Sequence, residues 1–147
     1  MRIRIIILAI LFASSLVVSA RKNETLPELI TRAESAKLED RPHLYTEIAQ
    51  RQVKAADELY SAGKPEEACA AVRDVKEYSD KASAAATQSG KKLKDTEIAI
   101  RKMVARLRDI KRTLAFEDQA PIEEAVNHLE QVRTQLLSQM FGKKENK

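Results

Sequence analysis

The sequence is short of cysteine, glycine, proline and aromatic residues. Its 147 residues include no tryptophan, one cysteine, three glycines and four prolines, and aromatics make up only 4%. Collagen needs glycine at every third position and an all-β fold needs many turn residues, so both are excluded. The one cysteine, Cys69, has no intrachain partner, which excludes a disulfide-stapled scaffold. Its alanine neighbours predict a partly buried position on a helix for this thiol.

Charged residues are abundant and nearly balanced in sign. They make up 33% of the chain, with 26 Lys and Arg against 22 Asp and Glu, while hydrophobic residues contribute 44%. This composition, with so few residues that interrupt helices, predicts an ordered all-α protein. Without Arg2 and Arg4 of the leader described below, the net charge falls from +4 to +2. Charge therefore gives no reason to expect nucleic acid as a partner.

The first twenty residues have the three-part pattern of a secretory signal peptide. Met1–Arg4 is basic, the run 5–18 is apolar apart from two serines, and Val18 and Ala20 fit a cleavage site. The alternative is an uncleaved membrane anchor, but a span needs about 20 apolar residues. The pattern favours a signal peptide over residues 1–20, cleavage after Ala20, and export, most naturally to a bacterial periplasm.

Prolines and helix-capping residues mark the starts of four helices in one domain over residues 21–141. Thr25 and Glu28 form a capping box, and Pro42, Pro65 and Pro121 open the later helices. The predicted helices are about 26–39, 42–62, 65–115 and 121–141, followed by a disordered basic tail at 142–147.

The third predicted helix carries a long uncharged seam. Stepping by three and four residues from Ala68 to Leu114 meets fourteen positions in one heptad register, and none is charged. The register crosses Gly90 without a phase slip, which favours one unbroken helix. The predicted fold is an elongated antiparallel bundle of coiled-coil hairpins on this central helix. The alternative is a bend at Gly90 that closes the chain into a compact four- to five-helix bundle.

The elongated fold predicts contacts for the last helix. Short turns make neighbouring helices antiparallel, which places Glu124 near Arg112 and Glu130 near Arg106. A two-helix C-terminal hairpin would leave part of its apolar seam uncovered, so we expect a homodimer through that hairpin.

The turn between the second and third helices resembles that of a tetratricopeptide repeat. The segment Ala62–Ala68 reads AGKPEEA, with Leu59 before it and Val72 after it. The match covers about 20 residues and occurs once, whereas stable repeat arrays need about three copies. Gln52 stands where the motif has a bulky aromatic residue. The resemblance implies helix-hairpin packing and protein binding.

The chain lacks the motifs of the common catalytic and cofactor sites. It has no Gly-rich phosphate loop, no nucleophile elbow and no Cys-x-x-Cys-His haem motif. Its two histidines, His43 and His128, are predicted to lie about 35 Å apart on the surface of the elongated fold. We therefore expect no enzyme, no cofactor and no metal site.

A cluster of basic residues on the long helix is the remaining functional signal. Residues 91–112 contain nine basic and three acidic residues. Arg106 and Lys111 flank the seam, where they are expected to pair with the last helix. Six others fall on outward positions and form a candidate face for an anionic partner: Lys91, Lys94, Arg101, Lys102, Arg108 and Arg112. A solvated helix surface is the alternative reading.

These observations favour a non-catalytic, secreted helical interaction or scaffold protein with a protein partner. Contact with an anionic membrane or cell-wall polymer is a further reading of the basic face. The alternative function is a periplasmic chaperone-like holder of envelope clients. A metal-binding helical bundle is a third, less favoured function.

Overall fold

The computed structural model describes residues 24–142, which are all-α. The predicted signal peptide and the basic tail beyond Gly142 lie outside the described residues. The helices within this range are α1 (Leu26–Ser35), α2 (Arg41–Ser61), α3 (Pro65–Ser89), α4 (Leu93–Thr113) and α5 (Gln119–Phe141), with a 3₁₀ turn at Phe116–Asp118.

The predicted capping box starts α1. The Thr25 hydroxyl accepts the backbone N–H of Glu28, while the Glu28 carboxylate accepts the backbone N–H of Thr25. The helix ends at Ser35, four residues before the predicted end at 39. Its end is fixed by the Arg41 guanidinium, which donates to the carbonyl oxygens of Ala36 at 3.0 Å and Glu34 at 3.2 Å.

Helices α2 and α3 form the predicted antiparallel hairpin around Gly63. Gly63 has φ +72°, and the N–H of Lys64 donates to the carbonyl of Leu59 at 2.9 Å. This is a Schellman motif, which needs a left-handed residue and so favours glycine. Across the hairpin, Gln52 donates to a carboxylate oxygen of Asp74 at 2.7 Å.

The prediction of one unbroken helix over 65–115 is wrong. Helix α3 ends at Ser89, and Gly90 and Lys92 both adopt left-handed conformations, with φ of 65° and 64°. The Ser89 side chain donates to the carbonyl of Ala85 at 2.7 Å and accepts the N–H of Lys91 at 3.2 Å. Three residues thus end one helix and redirect the chain into the next. Helix α5 also begins at Gln119 rather than 121.

The second hairpin, α4 and α5, lies beside the first in the same orientation. Lys76 pairs with Glu124, and Asp80 with His128, and both pairs are 48 residues apart. A constant offset means that α3 and α5 run parallel. Helices α2 and α4 also run parallel, because their first turns share a pocket while Asp57, late in α2, pairs with Arg106 of α4. The elongated fold is therefore wrong, and the compact five-helix bundle is confirmed.

The first hairpin covers the apolar seam that the elongated fold left open. The large side chains of the second hairpin lie in a core continuous with that of α2 and α3, and those with 2% exposure or less include Ile100, Leu107, Ile110, Leu129 and Leu136. The homodimer stays a prediction, but the uncovered seam no longer supports it.

Substitution of Gly90 tests whether the helix is broken at this position, because a broken and an unbroken helix predict opposite changes in stability. We expect Gly90→Ala to lower the free energy of unfolding by about 1 kcal/mol, because alanine is disfavoured at positive φ. A Cβ at this position meets no atom within 4 Å, so steric overlap does not contribute. In an unbroken helix the same change would stabilise by about 1 kcal/mol. Urea denaturation measures the difference.

Gly142→Ala is the matched control. Gly142 has φ −67°, which alanine adopts freely, and an added Cβ would lie 3.9 Å from the Ser138 hydroxyl. We expect it to leave stability unchanged within about 0.5 kcal/mol. A stabilising Gly90→Ala would contradict the break.

Candidate functional site: the basic face of helix α4

All six predicted cations are exposed, on or just before α4. Lys94, Arg101 and Arg108 are seven residues apart and Arg112 follows four residues later, so these four share one side of the helix. Lys102 is turned about 100° from Arg101, onto the adjoining side. Lys91 precedes the helix. The basic face is therefore a row of four cations with a lysine beside it and another at its start.

The three arginines of this face are tied to acidic groups. Arg108 donates to Glu130 of α5 at 2.9 Å, and Arg112 donates to Asp109 at 3.0 Å. Arg101 lies 3.9 Å from Glu97. These contacts neutralise the arginines in part and limit where their side chains reach.

The three lysines of the face are different. Within residues 24–142, Lys91, Lys94 and Lys102 have no ion-pair partner. Each is exposed to solvent. The positive charge that remains to attract an anionic partner therefore comes mainly from these ammonium groups.

The expected pairing of α5 with this region is only partly right. Lys111 pairs with Glu123 of α5 at 3.0 Å, as expected, but Arg106 pairs with Asp57 of α2. Glu124 lies against Lys76 of α3 at 2.6 Å instead of near Arg112. The register differs because α5 packs against α3 as well as α4, which an elongated fold does not allow.

Beneath the face, the buried Glu97 contacts the half-buried Arg133, a pair that the sequence pattern did not predict. Arg133 Nε donates to Glu97 Oε1 at 2.6 Å, and this bond raises the pKa of the Arg133 guanidinium. Glu97 is only 7% exposed. Arg133 also reaches Glu130 at 3.3 Å, which links the pair to Arg108. In the sequence, Glu97 directly follows Thr96, one of the positions of the uncharged seam, and a carboxylate so close to the seam was the signal that could have identified this contact.

The remaining reactive groups are dispersed. Cys69 is half-buried on α3, as predicted, with its Sγ 3.6 Å from the Tyr60 hydroxyl. Burial, followed by the hydrogen bond with this thiol, raises the pKa of Tyr60. His128 contacts Asp80 at 2.8 Å, whereas His43 lies at the start of α2. Across residues 24–142, no three His, Cys, Asp or Glu side chains are grouped to hold a metal ion.

Known proteins offer no match to this chain. No family model, curated protein or solved structure is similar to it. Among the helices at 24–142, none is long and apolar enough to cross a membrane.

The buried carboxylate yields a stability prediction. We expect Arg133→Ala to lower the free energy of unfolding by about 1–3 kcal/mol, because Glu97 would keep only the distant Arg101 as a cationic neighbour. Arg112→Ala is the control, since its pair with Asp109 is exposed and should contribute less than about 1 kcal/mol. Thermal and urea unfolding measure both. Equal effects of the two changes would contradict the role given to Arg133.

Proposed function

We propose that this chain is a non-catalytic, secreted helical interaction protein that binds an acidic surface of a partner protein through the basic face of α4. Export follows from the signal-peptide pattern, with cleavage after Ala20. The observation that carries the proposal is a set of three exposed ammonium groups, Lys91, Lys94 and Lys102, which have no ion-pair partner among residues 24–142. They lie beside arginines that are paired with acids.

The charge pattern favours a protein over a lipid surface. Attraction to anionic lipids typically takes a cluster of four to eight basic residues. Of the six cations of the basic face, only three lack an ion-pair partner among the described residues, and Asp95 and Asp109 interrupt the face. Such alternating charge suits a partner with cations and anions at matching positions, which gives specificity as well as attraction. The resemblance of the Gly63 turn to a tetratricopeptide repeat also favours protein binding.

A holder of unfolded clients has less support. Such a protein needs a continuous exposed apolar surface. Phe116 and Phe141 are the two most exposed large apolar side chains described, with 88% and 62% exposure. They precede and end α5, whose length separates them by about 33 Å.

The partner surface can be tested with a photo-crosslinking residue. We place it at Ala105, which is exposed between Arg101 and Arg108, and use the exposed Ala84 of α3 as the matched control position. In the native envelope, the Ala105 probe is expected to give one discrete protein adduct that disappears with added salt, because screening weakens exposed charge attraction. The Ala84 probe is expected to give none. Equal adducts from both positions would contradict the proposal.

Substitution of two of the lysines is the second part of the crosslinking experiment. The double change Lys94→Glu and Lys102→Glu is expected to reduce adduct formation at least about tenfold by reversing the local field. Stability should stay unchanged, because neither lysine has an ion-pair partner to lose in the described part of the chain. Vesicles containing phosphatidylglycerol are the alternative ligand. If the chain bound these vesicles at physiological salt and gave no protein adduct, the partner would be a membrane surface and the proposed partner protein would be wrong.

The proposed function also predicts the result of an assay for the holding of unfolded clients. We expect a stoichiometric amount of this chain to leave the aggregation of an unfolded outer-membrane protein unchanged, as measured by light scattering. Suppression that survives Lys94→Glu and Lys102→Glu would instead support the holder function.

A further inference from the structure

The two most exposed aromatic rings among residues 24–142 lie at opposite ends of the bundle. Phe116 is 88% exposed and belongs to the 3₁₀ turn that precedes α5, whereas Phe141 is 62% exposed and ends α5. A ring in solvent gains free energy when it is buried against another protein, and aromatic rings contribute strongly to protein interfaces. Each ring is therefore a candidate contact, and the charges around it indicate what it contacts.

Phe116 lies at a negative end of the bundle. Four carboxylates without an ion-pair partner in residues 24–142 share this end with it: Glu66, Glu67, Glu117 and Asp118. Two of them follow Phe116 in the chain, and two lie on the first turn of α3, which the constant offset between α3 and α5 brings level with this turn. The two turns at this end, 62–67 and 113–120, contain only one cation, Lys64.

Phe141 lies at a positive end of the bundle. The same offset places it level with Leu93, in the first turn of α4. Three exposed lysines flank that position: Lys91, Lys92 and Lys94. Within the described residues only Lys92 has an ion-pair partner, Asp95 at 3.6 Å, and Glu39 and Asp40 line a cavity beside the same lysine. The ammonium groups of the other two lysines remain available to a partner.

We propose that copies of this chain associate head to tail, with Phe116 of one copy packed against Phe141 of the next. The carboxylates around Phe116 then face Lys91 and Lys94 of the neighbouring copy. A second copy is the favoured occupant because its positive end presents an aromatic ring among ammonium groups. An anionic membrane, in contrast, would be repelled by the carboxylates that accompany Phe116.

This contact goes beyond the proposed function. It uses the ends of the bundle and leaves four cations of the basic face to the partner protein: Arg101, Lys102, Arg108 and Arg112. It also differs from the homodimer that the sequence predicts, in which both copies would use the same surface of the C-terminal hairpin.

A head-to-tail contact leaves each copy with one unused end. Association therefore continues into a chain of copies unless the rotation between them closes a ring. Each copy adds about 38 Å, the length of the 25-residue α3. One end of five helices spaced about 9 Å apart offers roughly 350 Å². A stable interface buries roughly 800 Å² per partner, so we expect reversible association at high micromolar concentration.

Sedimentation equilibrium of the chain purified after export tests the association. Between about 10 µM and 1 mM at low salt, the weight-average mass is expected to rise with concentration. In about 0.5 M NaCl it should fall back toward the mass of one chain, because salt screens the exposed charges. Small-angle scattering at low salt should show the maximum dimension growing by about 38 Å per added copy.

Two alanine variants distinguish a head-to-tail contact from a symmetric one. Phe116→Ala and Phe141→Ala are each expected to weaken self-association at least about tenfold. Mixed in equal amounts, the two variants should form dimers but no chains, because the intact Phe141 of the first meets the intact Phe116 of the second. Both rings are exposed, so circular dichroism should show an unchanged helix content.

Two exposed lysines provide a matched pair of charge variants. Lys91 lies at the positive end, whereas Lys102 lies along the side of α4, and neither has an ion-pair partner in residues 24–142. Lys91→Glu is expected to weaken self-association at least about tenfold, and Lys102→Glu to leave it unchanged. Because Lys102→Glu belongs to the change that tests binding of the partner protein, self-association and partner binding can fail independently.

Three results would overturn the proposal. A mass that stays at that of one chain at about 1 mM and low salt would show that the ends do not associate. Self-association of Phe141→Ala as strong as that of the unchanged chain would show a symmetric contact through Phe116. An equal mixture of the two alanine variants that associates no more than either alone would show that the two ends do not meet.

Discussion

The three-residue reversal at Gly90–Lys92 is the constraint on which the rest of this structure depends. Two residues in left-handed conformations turn the chain within so short a distance that α4 cannot continue the direction of α3. Most side chains disfavour this conformation by about 1–2 kcal/mol, and Lys92 adopts it without the freedom of glycine. The contacts that the second hairpin makes with the first must therefore outweigh this cost.

Those contacts combine an apolar core with polar pairs at the interface between the hairpins. The seam of α3 is built mainly from alanine, serine and valine, which bury little area each but let helices approach closely. The seam of α4 contributes larger side chains such as Ile100 and Leu107. Around this core, the pairs Asp57–Arg106, Lys76–Glu124 and Asp80–His128 join the two hairpins. Exposed pairs of this kind add little stability, so their role is to fix register and parallel orientation.

Parallel stacking also separates two kinds of surface. The row of arginines and lysines stays on the outer side of α4, where acids of α4 and α5 bind the arginines. The lysines of the row have no ion-pair partner among residues 24–142. The exposed Phe116 and Phe141 lie instead at the two ends of the bundle. An elongated arrangement would keep the cations outward but would place Phe141 near the middle of the rod.

The uncharged seam shows what sequence periodicity can predict and what it cannot. Of its fourteen predicted positions, eleven are buried, three are half-buried and none is exposed. The inference from this register to one continuous helix was wrong, since Leu93 follows Ser89 by four residues and so keeps the heptad count across a reversal. Counting residues detects which side of a helix is apolar. It carries no information on whether the backbone between two such segments is helical.

The sequence by itself determined the all-α class, the Gly63 hairpin, the apolar stripe of each helix and the exposure of the six cations, because these follow from local backbone preferences and side-chain periodicity. Only the tertiary structure decided that the chain reverses at Gly90, that Arg133 neutralises Glu97 and that Phe116 and Phe141 lie at opposite ends of the bundle. Each of these depends on which helix packs beside which. That choice comes from the sum of many weak contacts between residues distant in sequence, and no local pattern records it.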